Sequence, residues 1–453
     1  MRRLALLFLL LPGAALAHAS ERMVILTLPT RGYVIGAALT VALTAVLGMI
    51  ARRPPHFGAR ALFTRPALLP REVSSWVGAG LTILLVVVGL FGTHDPMENL
   101  LPLTLWTVIW VGLTLASVIF GNLWRDVAPW YGPVRTIRHL IGRTGSIGLA
   151  RLGYLPAILG YLAFAWFEMI SLSPADPEVL ARAVALYAAL ILTLGVLEGE
   201  DWLDRGDFLS GYFAMVSRIA PFWAEYEGRR VTVMAGLPGA QVVQSAPLTP
   251  SAIAFVTLLL ASVSFDGLHE TFWWLARLGI NPLDFPGRSA VVWQNTFGLL
   301  SFWAFSAALI LGAIRFGLPK GTRFSDLAGP LMLSFLPIAA GYHVAHYFIS
   351  LLTGGQYAIA ALNDPFSTGL SLLGLPEHWV SFGFLSTHSG VRAVWSFQFA
   401  AILGAHVLAV LLSLRLTANI ERAQTFRTHA PMTLLMIAYT VFGLWLLSTP
   451  TGA

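Results

Sequence analysis

The chain has 453 residues, of which 57% are hydrophobic and 11% charged, with a formal net charge of +6 and a mean hydropathy of +0.73. Soluble domains carry roughly 25% charged residues, so this composition excludes an ordinary soluble domain and points to a polytopic membrane protein with the lipid bilayer as its main partner. Apart from Lys320 the positive charge is arginine, placed between apolar stretches, which makes it a topology signal rather than a nucleic-acid surface. The absence of cysteine excludes disulfides, thiolate metal sites, cysteine nucleophiles and covalent c-type haem.

The first residues read as a secretory signal. Arg2 and Arg3 form a basic start, Leu4 to Leu11 an apolar core, and Ala15-Leu16-Ala17 a small-residue cleavage site. Residues 1–17 are therefore expected to leave, with His18 as the first mature residue and 18–453 as a single all-α transmembrane helical bundle.

About ten spans follow, near 32–50, 75–92, 101–121, 152–172, 180–197, 250–272, 295–315, 326–352, 393–414 and 431–448. The arginines gather in the odd loops. Arg52, Arg53, Arg60, Arg65 and Arg71 are in the first, and Arg125, Arg135, Arg138, Arg143 and Arg151 in the third. Arg205, Arg218, Arg229 and Arg230 are in the fifth, Arg315, Lys320 and Arg323 in the seventh, and Arg415, Arg422 and Arg427 in the ninth. The positive-inside rule makes those loops cytoplasmic and both mature termini periplasmic, in a bacterial inner membrane; the signal sequence gives the same orientation. The fifth loop, 198–249, contains an apolar stretch at 206–223 that predicts an amphipathic helix on the inner surface. The eighth loop, 353–392, is periplasmic and too long for a simple turn.

Titratable side chains gather on the arginine-poor side. His343 and His346 lie in Gly341-Tyr342-His343-Val344-Ala345-His346-Tyr347, inside the eighth span and about 60° apart around the helix. Asp266, His269 and Glu270, at i, i+3 and i+4, share a face near the outer end of the sixth span. At 1.5 Å per residue Asp266 and His343 lie at about 24 and 25 Å along their helices, a matching depth. Unpaired, such groups are costly in hydrocarbon, which predicts mutual contact. An imidazole and carboxylate set suits a divalent metal, zinc or copper, with His343, His346, Asp266 and His269 as ligands. Glu270 and His388, the latter in the eighth loop, are the acid–base candidates. Pro337 predicts a kink that opens a cavity. Glu168, a lone acid in the fourth span, either faces the interface or joins the same cavity. A free N-terminal His18 could hold copper, and His343 with His406 could hold haem. The competing explanation is a hydrogen-bonded polar plug that serves packing alone.

The chain resembles the fenitrothion hydrolase-like family of bacterial multi-pass membrane proteins. The segments that carry the resemblance are Ala17–Arg22, Asn122–Arg125 with Pro129–Pro133, Trp202–Asp207, Ser264–Trp274, Asn281–Arg288, Gly341–Tyr347 and Gly443–Pro450, spread over nearly the whole chain. The resemblance implies hydrolysis of an aryl phosphorothioate triester, an apolar small molecule that would reach the site from the lipid phase. It carries no residue roles, so the site residues rest on the spacing above. A transporter or permease for a metal ion or small solute uses the same residues as a binding site. A membrane-complex assembly partner uses them only as structure. Polar groups thin out toward the inner halves of the spans, where His406, Gln398 and Asn295 are the main ones, and this favours a one-sided site.

Overall fold

The computed structural model describes residues 30–51, 54–284, 287–376 and 379–449. The signal sequence 1–17 and His18 lie outside these residues. The apolar helices, in chain order, are α1 (Thr30–Ile50), α2 (Arg71–Phe91), α3 (Leu100–Phe120), α4 (Leu155–Met169), α5 (Pro177–Glu198), α6 (Phe208–Val216), α7 (Pro250–His269), α8 (Val292–Phe316), α9 (Phe324–Leu333), α10 (Leu336–Asn363), α11 (His388–Leu416) and α12 (Arg422–Ser448). Among the described residues nine helices are long and apolar enough to cross a membrane, counting α9 and α10 as one, and α4 is a shorter apolar helix of 15 residues. The all-α bundle expected from hydropathy is thus the dominant architecture.

Burial sorts the helices into a core and a lipid-facing shell. In α7 and in α9–α10, 72% and 89% of the most apolar stretch is buried, against 17% to 33% in α1, α2, α3, α5, α8 and α12. Helix α10 is central, packed on α3, α7 and α11. Two glycines permit close approaches to α10. A Cβ at Gly341 would stand 2.4 Å from Ala405 Cβ, so α10 and α11 touch backbone to backbone there. A Cβ on Gly443 would collide with the Tyr342 hydroxyl, which donates to Tyr439 O at 2.5 Å and locks α10 to α12.

Three features depart from the sequence expectation. First, the arginine-rich side carries a three-stranded antiparallel sheet, β1 (Ala59–Pro66), β2 (Phe222–Glu227) and β3 (Arg230–Gly236), in the order β1-β3-β2. Ala59 pairs with Gly236 and Phe222 with Ala235, and Gly228 (φ 58°) turns the β2–β3 hairpin in the left-handed region. Second, the predicted surface amphipathic helix at 206–223 is instead α6, enclosed on nearly all sides. Its buried N-cap, Asp207, accepts from Trp130 Nε1 at 3.1 Å and from Ser210 N at 3.0 Å, and also bonds the Tyr187 hydroxyl. Burial raises the Asp207 pKa, and these donors offset that only in part. Trp130 of the third loop and Asp207 of the fifth thus tie the two loops together. Third, α10 runs on to Asn363, so the irregular part of the eighth loop is shorter than 353–392.

Candidate acid–base site between three helices

Helices α4, α7 and α10 each contribute to one cluster. His346 Nε2 lies 2.9 Å from Asp266 Oδ2. The Tyr347 hydroxyl stands 2.5 Å from the same oxygen and 3.0 Å from Glu168 Oε1. Four titratable side chains therefore form a continuous hydrogen-bonded chain, Glu168–Tyr347–Asp266–His346. The helix spacing explains the arrangement. His346 and Tyr347 project from the middle of α10 toward the C-terminal ends of α7 and α4, which carry Asp266 and Glu168.

The chain borders a cavity of about 290 Å³, lined by Glu168, Asp266, Glu270, Arg288, His346 and Tyr347, with Val263, Trp395, Ile402 and Leu446 on its apolar wall. The Asp266 side chain is 14% exposed and those of His346 and Glu270 are 38% and 37% exposed, so the paired carboxylate is covered while the imidazole and Glu270 reach the cavity. Arg288 donates through Nη1 to the main-chain oxygens of Glu168 at 2.7 Å and Ser171 at 3.1 Å, pinning the end of α4 to the cavity rim. Gln398 lines the same space and donates to Ala345 O at 2.8 Å.

The residues expected from sequence are only partly assembled. Asp266, His346 and Glu270 line the cavity. His343 does not, because its Nε2 lies 2.8 Å from the carbonyl oxygen of Trp110 on α3. Its ring packs between Trp110 and Tyr347 at centroid distances of 4.6 and 4.7 Å. The Trp110 carbonyl lies in a stretch of α3, Leu103–Leu113, wound as a π-helix, and it also accepts from Thr114 Oγ1 at 2.7 Å. His269 turns its Nδ1 back onto Asp266 O at 2.7 Å, leaving Nε2 3.9 Å from Glu270. His388 stands exposed at the start of α11 and does not line the cavity. Among the described residues no three His, Asp or Glu side chains are grouped for one ion. The structure does not bring the four expected zinc or copper ligands into one group: His346 and Asp266 meet at the cavity, while His343 and His269 lie outside its lining, each with one ring nitrogen on a main-chain oxygen. His406, the other haem candidate, has its Nδ1 2.9 Å from Ile402 O on its own helix.

Sequence spacing missed the central place of Tyr347 and the part played by Arg288. Tyr347 adjoins His346 in the motif, and a phenol beside an intramembrane imidazole was the available signal. Glu168 was visible as a lone acid in an apolar span, and it joins the cavity rather than the interface.

A second, larger cavity of about 940 Å³ opens at the opposite ends of α4 and α7, beneath the β-sheet, with Tyr154, Arg205, Arg218 and Glu225 on its walls. Between the two cavities the Tyr161 hydroxyl and Ser262 Oγ are 2.8 Å apart, joining α4 to α7. No protein-family model, curated protein or solved structure matches this chain.

Proposed function

We propose that this protein is an integral-membrane hydrolase of neutral esters, with phosphorus triesters the class implied by the family it resembles, acting at the cavity bordered by His346 and Asp266. The reading places it in a bacterial inner membrane with the arginine-rich loops in the cytoplasm and the cavity facing the periplasm. One observation carries it: a carboxylate-paired imidazole and a second carboxyl, linked through one phenol, border a cavity with an apolar wall.

The chemistry follows from proton counting. A phenol has one proton, so two carboxyls on either side of Tyr347 are best served when one of them is protonated. Asp266 also faces His346, so the charge belongs on Asp266 and the proton on Glu168. Water in the cavity attacks phosphorus while the His346–Asp266 pair takes its proton, with Glu270 orienting the water. The bond from phosphorus to the aryloxy oxygen breaks, and the aryloxide receives a proton from the Glu168–Tyr347 end. The proton gained at His346 then restores Glu168 through Asp266 and Tyr347, closing the cycle. An uncharged triester suits the apolar wall and an entry from lipid.

The test is phenol release from an aryl phosphorothioate triester by the full chain in vesicles. Wild type should hydrolyse it. His346→Gln, still membrane-inserted, should lose about a hundredfold or more of the rate. A wild-type protein without triesterase activity, or a His346→Gln variant at full rate, contradicts the reading.

A second reading, proton-coupled transport, is favoured by one observation: the two cavities sit at opposite ends of the same two helices. It expects the proton chain to drive solute uptake into vesicles under a pH gradient, with no ester cleaved.

A further inference from the structure

The larger cavity is unlike the acid–base site in chemistry and lies at the other end of the bundle. Ala252 lines it and Asp266 lines the smaller one. Fourteen residues of α7 separate them, about 21 Å. Its walls come from the third and fifth loops, the first turn of α7 and strand β2. Helices α4 and α7 begin there, at Leu155 and Pro250, so the cavity lies at the starting ends of two apolar helices.

Its charge is unbalanced. Arg151, Arg205 and Arg218 line it, with Glu225 as the carboxylate on its wall. Among the described residues none of these three guanidinium groups pairs with a carboxylate, whereas nearby Arg71, Arg125 and Arg138 each have one. Glu225 accepts from Trp223 Nε1 at 3.0 Å. Arg218 is half-buried, and the hydrogen bond its guanidinium shows is from Nε to its own helix, 3.2 Å from Ala214 O. Desolvation lowers its pKa, and Tyr154 offsets this only in part. Among the described residues the two Nη nitrogens of Arg218 have no protein acceptor, and its planar fork matches a tetrahedral oxyanion better than a single carbonyl.

We propose that this cavity is a binding site for a phosphoryl-bearing anion, held by Arg218 and Arg205 with Arg151 at the mouth. The anion supplies the missing countercharge at the base of α4 and α7. The phosphoryl group belongs either to an anionic phospholipid headgroup or to a soluble phosphate. The site is independent of the hydrolase reading and stands or falls without it.

The experiment uses the full chain and has two arms. In one, inorganic phosphate is titrated into detergent-solubilised protein by calorimetry. In the other, the protein is reconstituted in phosphatidylcholine vesicles with and without phosphatidylglycerol, re-extracted, and its retained lipid identified by mass spectrometry. Binding in the first arm assigns a soluble phosphate; selective retention of phosphatidylglycerol without phosphate binding assigns the headgroup. In whichever arm responds, a protein carrying Arg205→Gln and Arg218→Gln should lose about tenfold in affinity or retention. Glu225→Gln, which keeps an acceptor for Trp223 while removing the negative charge, should bind more tightly, and it carries the test alone if the arginine variant fails to fold. Neither arm responding in wild type overturns the proposal. So does unchanged binding in the arginine variant when folded, or in Glu225→Gln.

Discussion

Asp266 binds two partners from the neighbouring helix, the His346 ring and the Tyr347 hydroxyl, on a single oxygen. His343, one turn away on the same helix, meets a carbonyl instead. Their different partners give them different roles. His343→Ala should destabilise the protein by about 2 kcal/mol, through the void it leaves and the lost bond to Trp110 O. The activity of the folded fraction should stay close to wild type. Thermal unfolding in detergent, read beside triesterase rate per folded molecule, checks this. An unchanged transition with lost activity would move His343 into the chemistry. The difference between the two histidines was not legible in the sequence. Helical spacing put both rings on one broad face, but α10 lies between α3 and α7, and only tertiary packing decides which neighbour each ring meets. Asp266, Glu270 and His346 were legible because intramembrane titratable groups at matching depth have few other ways to be satisfied.

At the level of elements, the hydrophobic stretches marked the helices well because a bilayer span needs about 20 apolar residues. The sheet was hidden for the opposite reason. Its strands are short, sit in arginine-rich loops, and pair Ala59 with Gly236 across most of the first half of the chain. Helix α6 read as amphipathic because polar residues flank it, yet Asp207 spends its oxygens on buried donors and lets the helix sink into the core. The eighth loop holds a comparable device. The Asp364 carboxylate accepts from Thr368 N at 2.9 Å and Gly369 N at 2.6 Å, and these bonds, Thr368 first, hold its pKa below the usual carboxylate value. A depressed carboxylate stabilises its loop fully above the ordinary pKa and loses that contribution as pH falls through the lowered one. Hydrogen exchange at Thr368 and Gly369, corrected for intrinsic rates, should therefore stay slow from neutral pH down to the ordinary aspartate range, then accelerate in acid. Asp364→Asn should exchange faster at neutral pH. Equal protection in the variant would show that the backbone turn needs no charge.

Across the whole molecule, the two cavities differ in charge: Glu168, Asp266, Glu270 and His346 outnumber Arg288 in the smaller, and Arg151, Arg205 and Arg218 outnumber Glu225 in the larger. This polarity is the one the positive-inside rule expects, and Tyr161 and Ser262 join α4 to α7 between the two cavities. Reporter fusions after residue 140 should be cytoplasmic and those after residue 370 periplasmic; the reverse would turn the acid–base cavity inward. The central claim is that Asp266 and His346 act as one unit in ester hydrolysis, and a double-mutant cycle on the triesterase rate tests it most directly. Asp266→Asn and His346→Gln should each lower the rate of membrane-inserted protein by about a hundredfold or more, and the double variant should fall little further than either alone. Losses that multiply, or single variants that keep the wild-type rate, would contradict the account.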